Sequence, residues 1–124
     1  ANLALTKVGC KYSQEHRYEE GYYDCSSLVQ RLYQEVGISL PAIASTQGEF
    51  MVTHGLEVTE GELEPGDLIF YSYEQNGQFR NISHVAIYVG NGRMVHAANS
   101  RRGVVNDPFN PSNIGLYGRP SRLQ

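Results

Sequence analysis

The spacing of apolar residues changes character once along this 124-residue chain, and that change limits the folds open to it. Over residues 25–36, Leu28, Val29, Leu32, Tyr33 and Val36 recur at helical spacing, with Asp24 as a cap ahead of them and Gly37 as a stop behind. A second helix is expected around residues 45–53, and the end of a short one within residues 1–8, stopped at Gly9. After the turn Glu64-Pro65-Gly66 the helical period disappears. Short β-rich runs follow at 67–73, 84–89, 93–98 and 103–106, with a last one near Leu116. Helices first and strands afterwards predict an α+β domain, with helices packed on one face of an antiparallel sheet. Residues 11–23, polar, aromatic and aperiodic, read as an ordered loop.

Forty per cent hydrophobic residues in 13.8 kDa are enough for one core without metal or disulfide staples, so residues 1–124 read as a single domain. A net charge of -3 with scattered Lys and Arg leaves no footprint for nucleic acid or an anionic membrane surface. Membrane insertion is excluded by the lack of any run of about 18 apolar residues. The start at Ala1, with neither Met nor a leader pattern, suggests a piece of a longer protein. Cys10 and Cys25 are too few for a disulfide scaffold, and no Cys-x-x-Cys or His-x3-His spacing suggests a metal site. No metal or cofactor is expected, and nothing in the sequence calls for more than a monomer.

Cys25 falls in the first turn of the expected helix, where unpaired N–H groups and the positive end of the dipole favour a thiolate. Position alone does not make it a nucleophile, because free cysteines are more often buried structural thiols. Two histidines change that balance. In 84–89, Val85, Ile87 and Val89 must share the core face; in 93–98, Val95 and Ala97 must do so, which leaves His84 and His96 together on the opposite face. A strict two-residue Asn91-Gly92 turn pairing Gly90 with Arg93 puts the histidines on different faces, so an odd-length loop or a bulge is required. With Ala86 opposite His96, His84 lies one position diagonal, within reach as a base beside its orienting partner. Cys25 then attacks an acyl carbon, His84 takes the thiol proton and later protonates the leaving amine, and His96 orients His84. The Cys25 N–H is one candidate donor to the tetrahedral oxyanion.

The residues that carry these roles resemble the NlpC family of papain-like cell-wall peptidases. The likeness lies in Asp24-Cys25-Ser26-Ser27-Leu28-Val29, in Ser83-His84-Val85-Ala86-Ile87-Tyr88, in Leu63-Glu64-Pro65-Gly66-Asp67-Leu68 and in Gly90-Asn91-Gly92-Arg93-Met94-Val95-His96-Ala97. Several motifs in the same order cover nearly the whole chain. The resemblance implies a circularly permuted papain-like fold with a five- or six-stranded sheet, and catalytic residues Cys25, His84 and His96. It also implies hydrolysis of the bond between γ-D-glutamate and diaminopimelate or lysine in peptidoglycan stem peptides, by a secreted or cell-wall-associated protein with further domains. Tyr12 matches a tyrosine beside the nucleophile. Asp24 and Ser26 match residues that help receive the amino end of the stem peptide, and Ser83 belongs to the same substrate side.

The chain departs from the family pattern after Tyr12, where residues 13–23 replace a Trp-Gly-Gly stretch, and at Ser27 and Ala86, which replace glycines. These departures bear on substrate choice rather than on reaction type. A CHAP-like amidase or cross-bridge peptidase uses the same chemistry, and a non-catalytic or latent wall-binding module is the reading from another class. Cys10 is read as a packed thiol, with oxidation onto Cys25 as the alternative. His16 and His54 lack any motif context and read as surface residues.

Overall fold

A computed structural model describes residues 1–123. Its elements are α1 (Asn2–Leu5), β1 (Lys11–Tyr12), β2 (Tyr22–Tyr23), α2 (Cys25–Glu35), α3 (Ala44–Thr53), β3 (Glu57–Val58), β4 (Leu68–Tyr71), β5 (His84–Gly90), β6 (Arg93–Asn99), β7 (Gly103–Pro108) and β8 (Ile114–Gly118). β3 to β8 form one six-stranded antiparallel sheet in the order β3-β8-β4-β5-β6-β7. The α+β reading therefore holds, with six strands. β3 lies outside the expected runs: two residues are too short to display an alternation, and they are extended only through pairing with Tyr117 and Gly118 of β8.

α2 starts where its chemistry dictates. Asp24 accepts from the Ser27 N–H at 2.8 Å and the Ser27 hydroxyl accepts from the Asp24 N–H at 2.9 Å, a reciprocal capping box that the serine in place of the family glycine makes possible. The apolar stripe of α2, Leu28, Val29 and Leu32, packs on Val85, Ile87, Val95, Ala97 and Leu68 from one face of the sheet. The other face carries a second cluster, Ile69, Tyr71, Ala86, Met94 and Tyr117, on which none of α1, α2 or α3 packs. All the main helices thus sit on one side.

The hairpin between β5 and β6 resolves the register problem with a bulge. Asn91 and Gly92, at φ 54° and 69°, form a tight turn closed by Gly90 opposite Arg93, and one extra residue enters β5 between Tyr88 and Gly90. Beyond the bulge the register is Tyr88 with Met94 and Ile87 with Val95. The bulge returns His84 and His96 to a common face, away from α2.

The loop over residues 13–23 is ordered from beneath. Its ends pair as a short parallel ladder, Lys11 with Tyr22 and Tyr12 with Tyr23. Arg31 of α2 donates through Nη1 to the carbonyls of Arg17, Glu19 and Tyr22 at 3.0, 3.2 and 2.7 Å. One cation on the helix thereby satisfies three carbonyls of a segment that makes only a few hydrogen bonds within itself, such as Glu19 N–H to the His16 carbonyl at 2.9 Å.

Candidate active site

A cleft of about 480 Å³ opens where the start of α2 meets the start of β5. Tyr12, Asp24, Cys25, Ser26, Ser83 and His84 all line it. Six of the seven expected site residues thus meet in one place. His96, the seventh, stands behind His84 and does not reach the cleft wall.

The imidazoles form the start of a longer array. His84 Nε2 lies 2.8 Å from His96 Nδ1, His96 Nε2 lies 2.9 Å from Asp107 Oδ2, and Arg102 grips both Asp107 oxygens at 2.9 and 2.7 Å. The bidentate guanidinium, followed by the contact from His96, holds the Asp107 carboxyl down at about 2. An ionised carboxylate only accepts, so His96 Nε2 donates to it. In neutral His96 the other nitrogen, Nδ1, is then an acceptor and takes the His84 Nε2–H. His84 Nδ1 is left with its lone pair, the form a general base requires.

Asp107 and Arg102 escaped the sequence reading, which ended the strand at Asn106. The missing information was register. In β6–β7, Met94 pairs with Asp107 and His96 with Val105, so Asp107 sits on the histidine face, diagonal to His96. Arg102 is presented by a turn in which Asn99 Oδ1 accepts from the Arg101 and Arg102 N–H groups at 3.1 and 2.9 Å.

Cys25 is the first residue of α2 and is half-buried. Hydrogen bonds from the Val85 and Ser26 backbone favour its thiolate, but burial outweighs them and pushes the thiol up to about 11. Burial thus works against the thiolate that helix position alone favours. Burial likewise pushes His84 down to about 3, with His96 beside it acting in the same direction, so the base is neutral. Tyr73, also missed, lines the cleft with its ring 6.3 Å from that of His84 and stacked on Tyr71 at 5.5 Å. Tyr12 is half-buried, with its hydroxyl raised by burial and accepting from Gln14 at 3.3 Å.

Asp24 and Ser26 are in the cleft, but a cation stands on them. Arg17 Nε lies 3.2 Å from Asp24 Oδ2, and Arg17 Nη2 donates to the Ser26 hydroxyl at 3.0 Å. Sequence reasoning passed over Arg17 because nothing local marks it; only the folding of the loop brings it there. Ser83 is exposed at the rim, its N–H donating to the Tyr71 carbonyl at 2.9 Å. Cys10 and Cys25 are both free thiols, and His16 and His54 are exposed. Among the described residues no group of three His, Cys, Asp or Glu side chains is placed to hold a metal ion.

The sequence model of the NlpC/P60 family matches residues 9–114. The chain belongs to the NlpC/P60 family. Relatives in that family include the gamma-D-glutamyl-L-lysine dipeptidyl-peptidase of Bacillus cereus, 33% identical over 101 residues that make up 81% of this chain and 28% of the relative. The bifunctional muramidase/DL-endopeptidase CwlT of Bacillus subtilis is 38% identical over 99 residues, 78% of this chain and 28% of that protein. The chain therefore spans less than a third of the length of these two relatives. Among solved structures, NlpC2 from Trichomonas vaginalis superposes with a TM-score of 0.81 at 30% identity, over 95% of this chain and 43% of that one. This NlpC/P60 domain has the family's α+β architecture, with the expected cysteine and histidines on its cleft and hairpin.

Proposed function

We propose that this NlpC/P60 domain is a cysteine peptidase that hydrolyses the γ-D-glutamyl–diamino acid bond of peptidoglycan stem peptides, the diamino acid being lysine or diaminopimelate. The observation that carries the reading is the line from the cleft into the protein: Cys25 and His84 both lining the cleft, then His96, Asp107 and Arg102 in hydrogen-bond series behind His84. As substrate binds, the neutral thiol gives its proton to His84 Nδ1 while Cys25 Sγ attacks the acyl carbon. The new imidazolium keeps its Nε2–H on His96, whose own Nε2–H remains on the Asp107 carboxylate, so the positive charge faces a fixed acceptor series. The Cys25 N–H, one of the first-turn donors that a helix leaves unpaired, serves as a donor to the developing oxyanion. His84 then protonates the leaving amine of the diamino acid, and water, deprotonated by the same nitrogen, releases the acyl group. Cys25 and His84 are the catalytic residues; His96, Asp107 and Arg102 position them.

A peptidoglycan substrate implies a secreted or wall-associated setting and a place within a longer protein. The deciding experiment is digestion of purified peptidoglycan with the protein and with its Cys25→Ala variant, followed by mass spectrometry of the fragments. The expected product carries a new amine on the diamino acid, and the variant yields none. Release of intact stem peptides from muramic acid, or cutting that survives the substitution, refutes the proposal.

A further inference from the structure

Of the cleft-lining residues, Asp24 is the sole carboxylate. Its Oδ1 is committed to capping α2, at 2.8 Å from the Ser27 N–H, and its Oδ2 faces Arg17 Nε at 3.2 Å. That Nε has no aligned hydrogen-bond acceptor, so the attraction is between charges, in a pair whose side chains are only 19% and 10% exposed. The same guanidinium donates through Nη2 to the Ser26 hydroxyl and to the Ala42 carbonyl. The loop that delivers it is held at three carbonyls by Arg31 and by the Tyr18 hydroxyl donating to Gln30 Oε1 at 2.6 Å. Arg17 does not itself line the cleft; it is held against Asp24 and Ser26, the two lining residues that flank the nucleophile in sequence.

This pairing decides what that side of the cleft can receive. A bare carboxylate next to a hydroxyl suits an ammonium group. Here both are engaged, and a second cation would have to share Asp24 with a guanidinium already in place. Of the other polar groups on the cleft, Gln14, Ser45, Asn76, Gln78 and Ser83, like the Tyr12 and Tyr73 hydroxyls, are neutral and suit amides and hydroxyls.

We propose that Arg17 turns the Asp24 side of the cleft into a site for an uncharged acyl-capped chain, so that the domain cuts stem peptides whose amino end is acylated in preference to those whose amino end is free. The inference rests on the γ-D-glutamyl reading above, because in such a peptide a free amino end lies within a residue or two of the attacked carbonyl. Arg17 is then a determinant of specificity rather than of chemistry.

The test compares one peptide, L-Ala-γ-D-Glu-L-Lys-D-Ala, with its N-acetylated form, by kcat/KM for release of the lysine-containing fragment. The unmodified protein is expected to favour the acetylated peptide by about tenfold or more, the size set by one charge-assisted contact in a partly dry cleft. Arg17→Met, which keeps the aliphatic stem, should narrow or invert that ratio, and Arg17→Lys should retain most of it. Isothermal titration of both peptides into the Cys25→Ala protein should give the same order in Kd. A preference for the free amine, or a ratio unchanged in a folded Arg17→Met protein, overturns the inference alone. Cleavage of neither peptide, with peptidoglycan cut at another bond, overturns the γ-D-glutamyl reading and this inference with it.

Discussion

Replacing Asp107 by Asn changes one atom of a group that does not touch the cleft, yet it should slow the chemistry. Arg102 donates to both carboxylate oxygens, and His96 shares Oδ2 with it. An asparagine cannot satisfy all of these donors in either of its two orientations. With its amide nitrogen toward His96, it donates where the carboxylate accepted, so His96 must carry its proton on Nδ1. That proton points at His84 Nε2, and His84 must in turn hold its own proton on Nδ1, the nitrogen meant to receive the thiol proton. With the amide reversed, the tautomers survive but an N–H faces the Arg102 Nη2–H. Either way one charge-assisted hydrogen bond, worth about 1.5–3 kcal/mol, is lost from the series that stabilises the imidazolium. At 1.36 kcal/mol per decade this lowers kcat by about 10- to 150-fold. KM should move by less than about threefold, since Asp107 makes no part of the cleft wall. Initial rates on a γ-D-glutamyl-lysine peptide across a range of concentrations separate the two constants. Long-range 1H–15N spectra of histidine-labelled protein read the tautomers directly, Nε2–H for both rings in the parent and a shifted population in the variant. A variant with the parent's kcat, or with a changed KM alone, refutes the tautomer argument.

Three further outcomes follow from the same physics. Alkylation of Cys25 by iodoacetamide should accelerate as pH rises from 7 to 10, because burial holds the thiol up to about 11; a rate already level at pH 5 would show a preformed thiolate. Urea midpoints should be highest between about pH 6.5 and 9. His84 is held at about 3 against an ordinary 6.5, so the unfolded chain binds the extra proton and stability falls as pH drops below 6.5; Asp107, held at about 2 against 3.8, adds to the loss at lower pH. Above pH 9 the unfolded Cys25 ionises before the folded one and stability falls again. A midpoint unchanged between pH 7 and 4 contradicts this. Finally, Asp67, 2% exposed, is gripped by Arg119 through two bonds of 2.9 Å, and Arg119→Met should cost about 3 kcal/mol in urea unfolding by leaving a buried charge unpaired. Pairing it with Asp67→Asn should recover part of the loss, and a single-variant cost under about 1 kcal/mol would sink the assignment.

Much of the fold was legible before any coordinate, because the patterns that encode it are local. The expected helix over 25–36 is α2, ending at Glu35, and the expected helix near 45–53 is α3. The demand for a bulge or an odd loop between the histidine strands came from face parity alone, and the bulge between Tyr88 and Gly90 answers it. Cys25, Asp24, Ser26, His84 and Ser83 meet on one cleft because each lies at or beside the start of an element whose position was readable, whereas Tyr12 is brought there by β1, a two-residue strand within a segment read as loop. The helix-start argument for a thiolate contains no burial, and burial is the larger effect on the Cys25 thiol.

What the sequence by itself determined is the helix-then-strand order, the face shared by the two histidines and the placing of Cys25 at a helix start, since periods of 3.6 and 2.0 and capping chemistry act over a few residues. What only the tertiary structure decided is the company those residues keep. Asp107 reaches His96 through the β6–β7 register, Arg102 reaches Asp107 through a turn, and Arg17 reaches Asp24 through a loop pinned by Arg31. Each is a long side chain or a diagonal neighbour brought in by packing, and its charge carries no local period that a sequence pattern could reveal.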